Sequence, residues 1–194
     1  VTGGTNSSNF PVTDNAYQST LQDTLYPDGF VTKLNSMGTQ ILSSTYYGTE
    51  AYDQCYFVET GNNQDVFLFG QTNAQGLSLV KNALYYTADA GQFVTVFNQE
   101  LSNVKRSTVI GTGKGSPDIS PTAFLVDVCD KVYLAGWGSN LGGPLSTLNL
   151  PVTSDAHQSS TDGNDFYLMV IDNLFNSLVY ATYFGGSQSN EHVD

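Results

Sequence analysis

Val66-Phe67-Leu68-Phe69-Gly70 returns 66 residues later as Val132-Tyr133-Leu134-Ala135-Gly136, and this pair decides the fold. Each is a short apolar run closed by glycine, rich in residues that fit a pleated surface. Period two puts Phe67, Phe69, Tyr133 and Ala135 on one face and Leu68 and Leu134 on the other. Apolar residues on both faces imply a strand buried from both sides. The opening Val1-Thr2-Gly3-Gly4 lies 65 residues before the Val66 run and ends in the same way.

Three further segments repeat around these runs. Phe10-Pro11-Val12-Thr13-Asp14-Asn15-Ala16-Tyr17-Gln18-Ser19 parallels Leu150-Pro151-Val152-Thr153-Ser154-Asp155-Ala156-His157-Gln158-Ser159. Asp28-Gly29-Phe30-Val31-Thr32-Lys33-Leu34 aligns with Gly91-Gln92-Phe93-Val94-Thr95-Val96-Phe97 and with Asn164-Asp165-Phe166-Tyr167-Leu168-Met169-Val170. Ser43-Ser44-Thr45-Tyr46-Tyr47-Gly48 recurs as Tyr180-Ala181-Thr182-Tyr183-Phe184-Gly185, and more loosely as Arg106-Ser107-Thr108-Val109-Ile110-Gly111.

Each unit therefore holds about four short strands separated by Gly- and Asn-rich turns. The middle unit has them at Gln54–Thr60, Val66–Thr72, Gln92–Asn98 and Val104–Ile110. The next has them at Thr122–Val128, Val132–Trp137, Asp165–Ile171 and Leu178–Phe184; the first has Val1–Asn6, Gly29–Leu34 and Ile41–Tyr47. Tandem four-stranded units describe an all-β fold of β-propeller blades, in which face-to-face stacking buries the sheets and protects their edges. The divisions are a partial blade over 1–52, complete blades over 53–116 and 117–186, and the start of a further blade at 187–194. About three blades fall short of the roughly 4–8 of a closed propeller. The expectation is a propeller segment belonging to a larger ring and a longer protein.

The 194 residues carry 18 acidic and 6 basic side chains, a formal net charge of -12. That excludes a basic nucleic-acid binder, which needs Lys/Arg clusters on phosphates. No apolar run approaches the ~18 residues of a membrane span. Only 12% of residues are charged, so hydrogen-bonded sheets and aromatic packing must carry stability. Such a chain reads as secreted or surface-exposed. Cys55 and Cys129 are either a mutual disulfide or two separate thiols.

The Phe-Pro-x-Thr-x-x-Ala-Tyr-Gln segment at 10–18, the Asp-Gly-Phe-Val-x-Lys-Leu-Asn strand at 28–35 and Ser-Thr-Tyr-Tyr-Gly at 44–48 resemble the SBBP class of β-propeller repeats. The stretches Ala123–Cys129 and Val132–Gly138, and the closing Glu191-His192-Val193-Asp194, look like the version in very large surface proteins of Bacteroidota. That resemblance implies a type IX-secreted, gliding-motility-associated protein with an adhesive or scaffolding role. It supplies no catalytic residue. The middle unit departs from the pattern, with Leu84-Tyr85-Tyr86 where the others have Tyr17-Gln18 or His157-Gln158. Asp23-Thr24-Leu25 resembles the O-glycosylation motif of Bacteroidota, and Asn6-Ser7-Ser8 has the form of an N-glycosylation sequon.

The residues offer several local readings. Thr13 and Thr153 suit the cap of a short helical turn, with Phe10 and Tyr17 plugging each loop onto its blade. Three such loops on one rim would alternatively form a binding surface. Asp162, Asn164 and Asp165 suggest either calcium or solvated turn carboxylates, with Asp28 and Gln92 at the matching places. Glu59 and Asp127 read as equivalent acids that line a channel or hold the following turn. His157 and His192 lack the spacing of a zinc pair. Gly111-Thr112-Gly113-Lys114-Gly115-Ser116 lacks the ending of a phosphate loop, and no Gly-x-Ser-x-Gly elbow exists. Tyr46, Tyr47, Tyr85, Tyr86 and Trp137 are either sugar-stacking or core aromatics.

No catalytic, cofactor or metal residue is assigned. The functional expectation is a non-enzymatic, extracellular scaffold for adhesion or motility-linked contacts, its partners being other domains of a long chain, surface proteins or glycans. The alternatives are a carbohydrate-binding propeller module, a hydrolase or lyase with its site at the channel mouth, and a calcium-stabilised stalk.

Overall fold

Strand-length apolar runs joined by short turns pair with their neighbours in sequence, because antiparallel pairing needs only a tight connection. A computed structural model describes residues 1–138 and 145–186, and eleven strands lie among them. The first sheet comprises β1 (Thr2–Thr5), β2 (Asp28–Leu34) and β3 (Ile41–Tyr47). The second comprises β4 (Asp53–Thr60), β5 (Val66–Thr72), β6 (Gln92–Phe97) and β7 (Val104–Ile110). The third comprises β8 (Ser120–Val126), β9 (Val132–Trp137), β10 (Phe166–Ile171) and β11 (Leu178–Phe184). In each sheet the strands pair antiparallel in chain order, and each sheet is open. The predicted strands agree with these to within two residues at either end. A 3-10 turn at Asn62–Gln64 was not foreseen. The expected further blade at 187–194, and His192 with it, lie outside the described residues.

Register corrects the alignment of the repeats. Tyr46 faces Phe30, and Tyr183 faces Tyr167. Asp28 therefore corresponds to Asp165, one residue off the sequence alignment, and Gly91 takes that place in the second sheet. Gly3, Gly70 and Gly136 are equivalent, opposite Phe30, Phe93 and Tyr167. A glycine is required at Gly70, where a Cβ would lie 2.3 Å from the Gln54 carbonyl and 2.4 Å from the Phe93 ring. Glu59 aligns with Leu125, and Asp127 with Gly61, so the two acids are not equivalent. The slip is hidden in sequence by bulges at Tyr56 and Thr122, each of which inserts one residue into the first strand of its sheet.

Two cores separate the three sheets. Leu68, Phe93 and Phe97 face Val31 and Tyr47 of the first sheet, and Tyr47 lies 5.3 and 5.4 Å from the two phenylalanine rings. Phe67 and Phe69 face Phe124, Leu134 and Met169 of the third, with Phe69 stacked on Phe124 at 5.6 Å. The middle sheet is thus buried on both faces, as the Val66–Gly70 run implied. Each such side chain contributes about 1.5–3 kcal/mol by leaving water.

Candidate functional site

The long loops between the first two described strands of sheet one and between β9 and β10 are fixed by one device used twice. Gln18 Nε2 donates to Asp28 at 2.5 Å and to the Thr20 carbonyl, while its Oε1 accepts the Gly48 N–H. Gln158 repeats this with Asp165 at 2.9 Å, the Ser160 carbonyl and the Gly185 N–H. Thr13 and Thr153 do not cap a helix. Their hydroxyls exchange bonds with the backbone of Ser44 and Ala181 on the outer strands, and each main chain forms only a single turn to Ala16 or Ala156. Phe10 packs 4.4 Å from Phe30 on one face, and Tyr17 packs on Tyr47 and Phe97 on the other. The loop therefore straddles the outer strand.

Asp28 is fully buried, and burial pushes its carboxyl up to about 6. The bonds from Gln22 and Gln18 pull the other way, and Asp53 adds repulsion. Asp53 is raised as well, by burial against the bonds it accepts from Thr49. Asp118 plays the same part, accepting from Thr112 N–H and hydroxyl and pairing with Lys114 at 3.2 Å. Each between-sheet connection thus ends in a buried aspartate that folds its own Gly-Thr turn, Gly48-Thr49 or Gly111-Thr112. Sequence reading missed both the Gln–Asp brackets and these aspartates. Their signal was the Gln two residues after Ala16 and Ala156, and an Asp closing each connection.

The other candidates resolve individually. Asp162 accepts the Asn164 N–H in an exposed turn, whereas Asp165 is buried against Gln158, so the two carboxylates do not converge. Among the described residues no group of three His, Cys, Asp or Glu side chains could hold a metal. Asp127 binds the Cys129 and Lys131 N–H groups and the Tyr133 hydroxyl, so it organises its hairpin turn. Glu59 lies on the wall of a groove of about 470 Å³ between sheets one and two, beside Lys33, Val58 and Leu101. Tyr46 and Tyr47 are core residues; burial raises the Tyr47 hydroxyl, which sits in a network with Thr95 and Ser107. Tyr86 is 44% exposed. Gly111–Ser116 precedes strand β8, not a helix. Cys55 and Cys129 are both free, the first buried and the second exposed in the β8–β9 turn, which settles the disulfide alternative against a bridge.

A second device joins neighbouring sheets. The turns at Asn35–Gly38, Asn98–Leu101 and Asp172–Phe175 are equivalent, each closed by a residue of positive φ: Gly38 (69°), Leu101 (58°) and Phe175 (59°). The loop of the first sheet donates Tyr17 N–H to the Leu101 carbonyl at 3.1 Å. The loop of the second donates Leu84 and Tyr85 N–H to the Phe175 carbonyl at 3.0 and 2.9 Å. Leu101 and Phe175 are buried plugs in the two inter-sheet cores. So the middle unit, which lacks the Phe-Pro motif, keeps the latch by other residues.

Beyond the third sheet this pattern leaves a hollow of about 620 Å³ lined by Ala135, His157, Phe166, Leu168 and Phe184. No protein-family model and no curated protein matches the chain. Among the described residues no helix is long and apolar enough to cross a membrane.

Proposed function

We propose that the three sheets are consecutive blades of a β-propeller segment, and that the chain is a non-enzymatic, extracellular scaffold for adhesion or gliding-motility-linked surface contacts. The repeated latch supports this reading best: the same loop-to-turn bond and the same buried plug join each sheet to the next. Repetition of one packing step is the logic of stacked repeat architectures. It yields a stiff body whose loop rims present many weak contacts, and such contacts add through effective concentration. The acids Glu59, Asp127 and Asp162 sit in separate turns and grooves, which favours a scaffold over a hydrolase or lyase. A net charge of -12 suits a soluble surface that resists nonspecific association.

The test is surface labelling of intact source cells with a membrane-impermeant reagent, followed by attachment and gliding assays on a deletion strain. Labelling together with lost attachment or gliding is the expected outcome. A protein protected from label, or normal attachment and motility without it, overturns the reading. Carbohydrate binding rests on Tyr86 at the loop rim, and a glycan array with Tyr86→Ala as control separates it from protein-mediated adhesion.

A further inference from the structure

The outward face of the third sheet repeats, residue for residue, a face that is already covered elsewhere in the molecule. Register makes Leu168 equivalent to Val31, Phe184 to Tyr47 and His157 to Tyr17. Val31, Tyr47 and Tyr17 are packed by Phe93, Phe97 and Leu101 of the second sheet. Leu168 and Phe184 instead remain 41% and 59% exposed. The first sheet's outward face carries the complementary set. Phe30, Leu34 and Gly38 occupy the places of Phe93, Phe97 and Leu101 there, with Leu34 37% exposed.

We infer that these two faces pair between copies of this chain, so that two copies associate head to tail into a closed ring of six sheets. Leu168 and Phe184 of one copy pack on Phe30 and Leu34 of the other, and the His157 N–H donates to the Gly38 carbonyl as Tyr17 donates to Leu101. The occupant is a second copy because the template is the chain's own inter-sheet contact, continued past its ends. Two such heterologous contacts close a two-copy ring, and six sheets lie inside the roughly 4–8 that propellers use. The contact is apolar while each copy carries a charge of -12, so added salt strengthens association by screening the repulsion. The pairing rests on the blade reading above.

The experiment is native mass by light scattering across concentration and salt, for the full chain and for Leu168→Lys, Leu34→Glu and their mixture. The expected result is a mass twice 20.9 kDa for the unaltered chain, halved in either variant alone and doubled again on mixing. Mixing restores one unaltered contact and places the new lysine against the new glutamate. A monomer at every concentration, or a Leu34→Glu chain that still dimerises, overturns the inference. If either variant loses its far-UV circular dichroism, Phe184→Lys and Met37→Glu, at still more exposed positions, replace them. A monomer that keeps the Tyr47–Phe93 contact by NMR leaves the blade order standing; loss of that contact overturns the blade order itself.

Discussion

The Gln18 amide donates to the Asp28 carboxylate at 2.5 Å, inside a site from which water is excluded. A neutral donor thus faces a buried acid, and no cation compensates the charge. The bond still has structural value, since Gln18 ties the β1–β2 loop, strand β2 and the Gly48 turn together.

That arrangement sets a pH dependence. Burial raises the Asp28 carboxyl from 3.8 to about 6, so the folded state holds its proton where the unfolded state has released it. Between those two values the folded state binds more protons, and stability falls as pH rises. Asp53, raised in the same direction, adds to the slope. Asp28→Asn keeps an acceptor for Gln18 and Gln22 without the charge. Melting temperatures measured from acid to neutral pH should fall less steeply in Asp28→Asn, and the variant should melt higher at neutral pH. Equal slopes in both proteins would count against a buried, ionising Asp28.

Two glycines separate crowding from backbone strain. Gly70 has no room for a methyl group, because the Gln54 carbonyl and the Phe93 ring occupy its place. Gly38 has open space around it but a φ of 69°. Gly70→Ala is expected to cost about 3 kcal/mol by overpacking. Gly38→Ala should cost about 1–2 kcal/mol, from the left-handed backbone alone. Urea unfolding of both variants checks the order, and a larger loss at Gly38 contradicts it.

The strands were legible because their apolar runs and glycine stops repeat at nearly constant spacing. Val66–Gly70 announced two-sided burial, and Phe67, Leu68 and Phe69 are all fully buried. Exact equivalence was not legible, since the bulges at Tyr56 and Thr122 add a residue that no periodicity marks. That is why Glu59 and Asp127 read as partners in sequence and lie apart in structure. The latch was hidden for another reason. It uses backbone N–H and C=O groups, which any side chain can carry, so Tyr17 and Leu84-Tyr85 perform one task without resembling each other.

Phe175 tests the plug at that latch. Its ring is fully buried under the Arg106 guanidinium at 5.5 Å, on a backbone of φ 59°. Phe175→Ala empties the plug and keeps the unfavourable backbone, so it should destabilise by about 3–5 kcal/mol. Phe175→Gly empties the same space but relieves the backbone, and should recover about 1 kcal/mol relative to alanine. Chemical denaturation of the two variants measures the difference. A glycine variant no more stable than the alanine variant argues that the turn is not strained.

The cysteines give the most direct check on how the first two sheets meet. Cys55 lies in the core between them, where its sulfur fills the space beside Gly29, and burial pushes its thiol up to about 12. Both burial and the shortage of thiolate protect it from electrophiles. Cys129 is exposed in a hairpin turn and carries neither protection. A chromogenic disulfide reagent should therefore titrate one thiol per chain in native protein and two after denaturation. The Cys129→Ser variant should lose the native signal entirely while keeping the denatured one. Reaction of Cys55 in the folded variant would mean that the Val31–Tyr47 face separates from the second sheet, since nothing else stands between that sulfur and solvent.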